Sequence, residues 1–100
     1  MKANTAIMMG ALLFTSAFGL SAEDGAALYK RRCVACHGAQ GEGKPAMKAF
    51  SLKSTKMDVT QITGYLTKGA PASKAPHSKA ITGLTADEAK TIAEFVKTLQ

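Results

Sequence analysis

The pentapeptide Cys33-Val34-Ala35-Cys36-His37 takes both cysteines of a 100-residue chain and one of its two histidines. On its own, C-x-x-C reads as a redox disulfide or as half of a zinc site, so the surrounding sequence has to decide. A disulfide across Cys33 and Cys36 would close a loop of two residues and restrain almost no chain, since the stabilisation grows with loop length.

Upstream, "MKANTAIMMGALLFTSAFGLSAED" places Lys2 before an apolar run from Ala6 to Leu20 and then the small residues Ser21 and Ala22. That is the layout of a secretory signal peptide, with cleavage expected after Ala22. The run is short for a bilayer span of about 20 residues, and no lasting membrane insertion is expected after cleavage. Residues 1–22 are thus expected to be a leader and 23–100 one small domain, exported to the periplasm. So short a domain has little chain from which to build a core and usually depends on a bound group as a staple.

The chain has 13 Lys and Arg against 7 Asp and Glu; removal of Lys2 with the leader leaves 12 against 7, a net charge of +5. The basic residues are scattered and few aromatics lie between them. Stacking platforms for nucleic acid are therefore missing, and nucleic acid is not an expected partner. An acidic protein partner is the expected use of the charge, with an ordinary solubilising surface as the plain alternative.

Three segments carry helical periodicity, and strand-like alternation is absent. In "EDGAALYKRR", a short apolar face from Ala26 to Tyr29 leads into Cys33, with Glu23 and Asp24 at the end where the helix dipole favours acids. In "MDVTQITGYLTKG", Val59, Ile62, Tyr65 and Leu66 recur at helical spacing and Gly69 is a fitting stop. In "LTADEAKTIAEFVKTLQ", Thr85 and Glu88 form a capping box, and Leu84 is placed to pack on Ala89. Ala89, Ile92, Ala93, Val96 and Leu99 make its apolar stripe, with Phe95 on the flank. Two turn-rich loops separate these helices, and each holds one histidine, His37 or His77.

In this helical, exported setting C-x-x-C-H marks the attachment of c-type haem. Two thiols on one helical turn can each add to a porphyrin vinyl group, and the next residue presents its imidazole to the iron from the same side. Cys33 and Cys36 are the expected anchors of one haem per chain, and His37 the expected axial ligand. A thioredoxin-like site needs βαβ structure that this pattern lacks. A zinc site from Cys33, Cys36 and His77 remains as a rival, though adjacent Cys36 and His37 are awkward in one tetrahedron.

With "DGAALYKRRCVACHGAQGEG" at the front and "HSKAITGLTADEAKTIAEFVKTL" at the back, the sequence resembles the small class I c-type cytochromes of the bacterial periplasm. The resemblance implies an all-α cytochrome c fold, with three to four helices around one haem. It also implies a crossing of the first and last helices at Gly25, Tyr29 and Phe95. Pro45 matches the family proline whose carbonyl accepts a hydrogen bond from the proximal ring, the alternative being a plain turn proline.

The usual sixth ligand of that family is a methionine in the loop before the last helix. The chain after Ala22 has only Met47 and Met57, and neither lies there. That loop offers His77, 40 residues after His37 and 8 before Thr85, directly after Pro76. His77 is therefore the expected sixth ligand, giving a bis-histidine site. Met57 is the alternative ligand, more readily read as core or haem-edge packing, and Met47 is expected near the proximal side. The expected function is non-enzymatic one-electron transfer by a monomer. Lys44, Lys48, Lys74 and Lys79 are candidates for steering acidic redox partners. The rival is a haem sensor whose sixth ligand gives way to a small molecule.

Overall fold

The computed structural model describes residues 23–100; the expected leader and its cleavage site lie outside the described residues. The element order is α1 (Gly25–Arg32), α2 (Val34–His37), a 3-10 turn (Pro45–Met47), α3 (Val59–Lys68) and α4 (Ala86–Thr98). Among the described residues there is no strand, and an isolated bridge pairs Lys44 with Ala49.

Asp24 starts α1 by accepting a hydrogen bond from the Ala27 N–H at 2.8 Å, satisfying one of the donors that a helix N-terminus leaves free. Lys30, Arg31 and Arg32 occupy its last turn, where positive charge meets the negative end of the dipole. The chain then runs into α2 with little interruption. Cys33 N–H donates to Tyr29 O at 2.8 Å and His37 N–H to Cys33 O at 2.9 Å, so the pentapeptide is itself a helical turn.

The last two helices each begin with a reciprocal capping box. Thr85 and Glu88 form the expected one on α4, and hydrogen bonds from the backbone and hydroxyl of Thr85 hold the Glu88 carboxyl below its usual pKa. Asp58 and Gln61 form a second on α3.

Helix α4 packs against both α1 and α3. The core consists of Leu28 and Tyr29 from α1, Ile62 and Leu66 from α3, and Ala89, Ile92, Ala93 and Val96 from α4. The contact of α1 with α4 is close because of Gly25: a Cβ there would lie 2.5 Å from Thr91 O and 2.8 Å from Phe95 Cβ. Beside it the rings of Tyr29 and Phe95 meet at 5.2 Å between centroids, tilted by 48°, the offset geometry aromatic pairs favour. This is the crossing expected of Gly25, Tyr29 and Phe95.

Candidate functional site

The three-helix core fills only part of the interior. Next to it lies an open cavity of about 1270 Å³, larger than the roughly 300–1,000 Å³ of ordinary small-molecule pockets. Leu66, Ile81, Leu84, Ile92 and Met57 line it on the core side, and Cys33, Cys36, His37 and His77 also face it. The two exposed large hydrophobics among the described residues, Phe50 at 87 % and Met47 at 55 % exposed, belong to the same lining. The apolar surface left uncovered is thus gathered at one place.

Both cysteines are free and half-buried. Burial pushes the Cys33 thiol up to about 11, with neighbouring Arg32 pulling it down and Cys36 raising it further. No group of three or more His, Cys, Asp or Glu side chains suited to a metal ion occurs among the described residues. The geometry thus offers the zinc and thioredoxin-like readings no support.

His37 closes α2, and its Nδ1 lies 3.3 Å from the Phe50 carbonyl. A carbonyl only accepts, so this contact keeps the proton on Nδ1 and leaves the Nε2 lone pair for a metal. The acceptor is not Pro45, as the resemblance implied. Pro45 opens the 3-10 turn, and its carbonyl receives the Lys48 N–H at 3.0 Å. The bridge between Lys44 and Ala49 then returns the chain so that Phe50 arrives beside the ring. Pro45 still lines the cavity. A backbone carbonyl carries no residue-type signal, so the sequence had no means of selecting Phe50.

His77 comes from the connection between α3 and α4, which α3 itself fastens down. Helix α3 ends at Gly69, at φ +71, where a side chain would run into the backbone of Lys79. Ala70 N–H donates to His77 O at 2.7 Å and Ile81 N–H to Leu66 O at 3.0 Å. The His77 ring faces that of His37 with centroids 5.9 Å apart and planes tilted by 39°, and it packs on Tyr65 at 5.1 Å and 40°. Burial, followed by the nearby His37, lowers the His77 pKa, which favours the neutral imidazole that a metal requires. Its Nδ1 is buried without a hydrogen-bond partner.

Two thiols on one helical turn, two imidazoles with centroids 5.9 Å apart and an apolar wall fit a flat macrocycle carrying a metal at its centre. The sequence model for the family described as Cytochrome c matches residues 22–100. The chain belongs to the cytochrome c family. Covalently attached haem c is accordingly its cofactor, and haem-based electron transfer the activity its family supports. Among solved structures, cytochrome KustC0563, a c-type cytochrome, is similar at 22% identity over 78% of this chain and 99% of that one, with a TM-score of 0.61; this likeness concerns the fold. No curated protein matches the chain in sequence.

Met57 and Met47 also reach the lining of this cytochrome's cavity. Met57 is half-buried against the core, as a packing role requires. Of the four lysines singled out by the sequence, Lys48 and Lys74 line the cavity, Lys44 pairs with Ala49, and Lys79 lies with Arg32 in an adjoining hollow.

Proposed function

We propose that this cytochrome is an exported one-electron carrier in which Cys33 and Cys36 hold the haem by thioether bonds while His37 and His77 supply both axial ligands. The observation that carries the reading is the 5.9 Å between the two imidazole centroids. Metal–imidazole bonds are about 2.0–2.1 Å, and two of them in line, with the half-widths of both rings, place centroids on the order of 6 Å apart. Haem iron supplies a one-electron couple when bound. The residues orient it, shield it from water on the side of Leu66, Ile81 and Ile92, and leave an open face for exchange with a partner.

Two imidazoles support ferric iron better than one imidazole and a thioether, so the potential is expected to lie below that of His/Met relatives. The test is EPR with near-infrared magnetic circular dichroism on oxidised wild-type protein and on His77→Met. A bis-imidazole signature is expected in the wild type and a sulfur signature in the variant. The variant's potential should rise by on the order of 100 mV, a fraction of the roughly 0.8 V that axial ligands set. A sulfur signature in the wild type would transfer the ligand role to Met57. Carbon monoxide should leave the reduced wild type nearly unchanged; ready binding would favour the sensor instead.

Export to the periplasm is supported by the basic, apolar and small-residue order of residues 1–22. Among the described residues no helix is long and apolar enough to cross a membrane. Exposed Lys48 and Lys74 at the cavity, with Lys44 and Lys79 nearby, suit an acidic redox partner. Docking should therefore slow as salt screens the charges, and a rate indifferent to ionic strength would remove that role.

A further inference from the structure

The two histidines are held in different ways. His37 has its ring fixed by the Phe50 carbonyl, whereas the Nδ1 of His77 has no partner although it is buried. The backbone of His77 is anchored, through its carbonyl to Ala70 N–H and through its N–H to Lys74 O. Those bonds do not restrain rotation of the side chain. The ring plane must be set by packing, and apart from His37 the aromatic ring against it is Tyr65, 5.1 Å away and tilted by 40°.

Tyr65 is in turn prevented from swinging. Its hydroxyl donates to Ser73 Oγ at 2.6 Å, and Ser73 lies four residues before His77 on the same loop, its own N–H bonded to Ala70 O at 2.8 Å. A closed circuit results: α3 to Tyr65, Tyr65 to Ser73, Ser73 along the loop to His77, and His77 back to the Tyr65 ring. We infer that Tyr65 and Ser73 are a positioning pair that sets the orientation of the His77 ring, taking the place of the hydrogen bond that His77 lacks. The inference rests on the bis-histidine reading. Elsewhere a ligating histidine is oriented by a partner to its second nitrogen; here a tilted phenol ring packed on the imidazole, locked by a serine on the ligand's own loop, has that task.

The orientation of an axial imidazole plane controls the splitting of the iron orbitals, and so the spread of g-values in the oxidised protein. The experiment compares haem-loaded wild type with Tyr65→Phe, Ser73→Ala, the double variant and Tyr65→Leu. Low-temperature EPR and the rate at which added imidazole replaces the native ligand are the readouts. Tyr65→Phe and Ser73→Ala keep the packing and remove one bond, so each should broaden or shift the g-values. Each should also speed imidazole entry by roughly two- to tenfold, the span corresponding to a neutral hydrogen bond. The double variant should match either single one, because both delete the same bond. Tyr65→Leu, which removes the ring as well, should have the largest effect. Wild-type g-values and entry rates in Tyr65→Phe and Ser73→Ala would overturn the inference even with bis-imidazole ligation intact, and lowered melting temperatures with unchanged g-values would reduce the pair to ordinary packing. A sulfur signature in the wild type would instead remove the bis-histidine reading itself.

Discussion

At the scale of single residues, Tyr29 joins the core to the site. It is 1 % exposed, its ring packs on Phe95, and its hydroxyl donates to Gly38 O at 2.7 Å, immediately after His37. Burial, with smaller contributions from Cys33 and Glu42, lifts its pKa to about 12, against an ordinary value of about 10. A folded-state pKa above the unfolded one contributes stability that is complete below the unfolded value and is lost as pH rises through the folded one. The window therefore runs from about pH 10 to about pH 12. Tyr29→Phe should cost about 1 kcal/mol at pH 7 through the lost hydrogen bond. It should then lose less stability than the wild type between pH 10 and 12. Urea melts at pH 7, 10 and 12 decide this, and parallel curves for the two proteins would show that the hydroxyl does not govern the alkaline limb.

At the scale of elements, α3 matters most to the site, because its C-terminal end carries the contacts that hold the His77 loop. Gly69→Ala should unseat that loop. The conformation at φ +71 and ψ 176, essentially restricted to glycine, costs a side chain roughly 1–3 kcal/mol, and the added Cβ would meet the Lys79 backbone, which cannot turn aside as a side chain can. A loss of at least about 2 kcal/mol in a denaturant melt is expected, together with faster replacement of the sixth ligand by added imidazole. Unchanged ligand exchange in a destabilised Gly69→Ala would mean that the loop is held from elsewhere. The elements were well legible in sequence where side chains signal to the backbone: the box at Thr85 and Glu88, the stop at Gly69, the stripe from Ala89 to Val96. Asp58 and Gln61 form an equally explicit box that the apolar periodicity of α3 overshadowed. Cys33, Cys36, His37 and His77 could be singled out because the types and spacing of reactive side chains carry the signal, and the structure places all four around one cavity. Phe50, Tyr65 and Ser73 could not, since their part depends on a carbonyl, a ring face and a hydroxyl brought together only by the turn at Pro45 and the fold of the loop after α3.

At the scale of the whole molecule, the eight buried hydrophobic residues of the core share the domain with a cavity of about 1270 Å³. Leu66 and Ile92 belong to both, buried from the helix side and facing the cavity from the other. A wall without atoms opposite it forfeits its dispersion contacts, and water against it forfeits the hydrophobic gain. The junction of α1 with α4 needs neither, since Gly25, Tyr29 and Phe95 complete it without lining the cavity. Loss of the haem should therefore act unevenly. In protein carrying Cys33→Ala and Cys36→Ala, purified without haem, much of the far-UV helical signal should persist. The near-UV signal of fixed packing and the sharp thermal transition should disappear, and a dye that binds apolar surface should fluoresce, the marks of a compact but loosely packed state. Amide exchange should be fastest in the His77 loop and the C-terminal half of α3, and slowest where α4 crosses α1. A cooperative melt within a few degrees of the haem-loaded protein would show instead that eight residues are a sufficient core and that the cofactor occupies a finished fold, whereas the predicted gradient would mean that haem completes it.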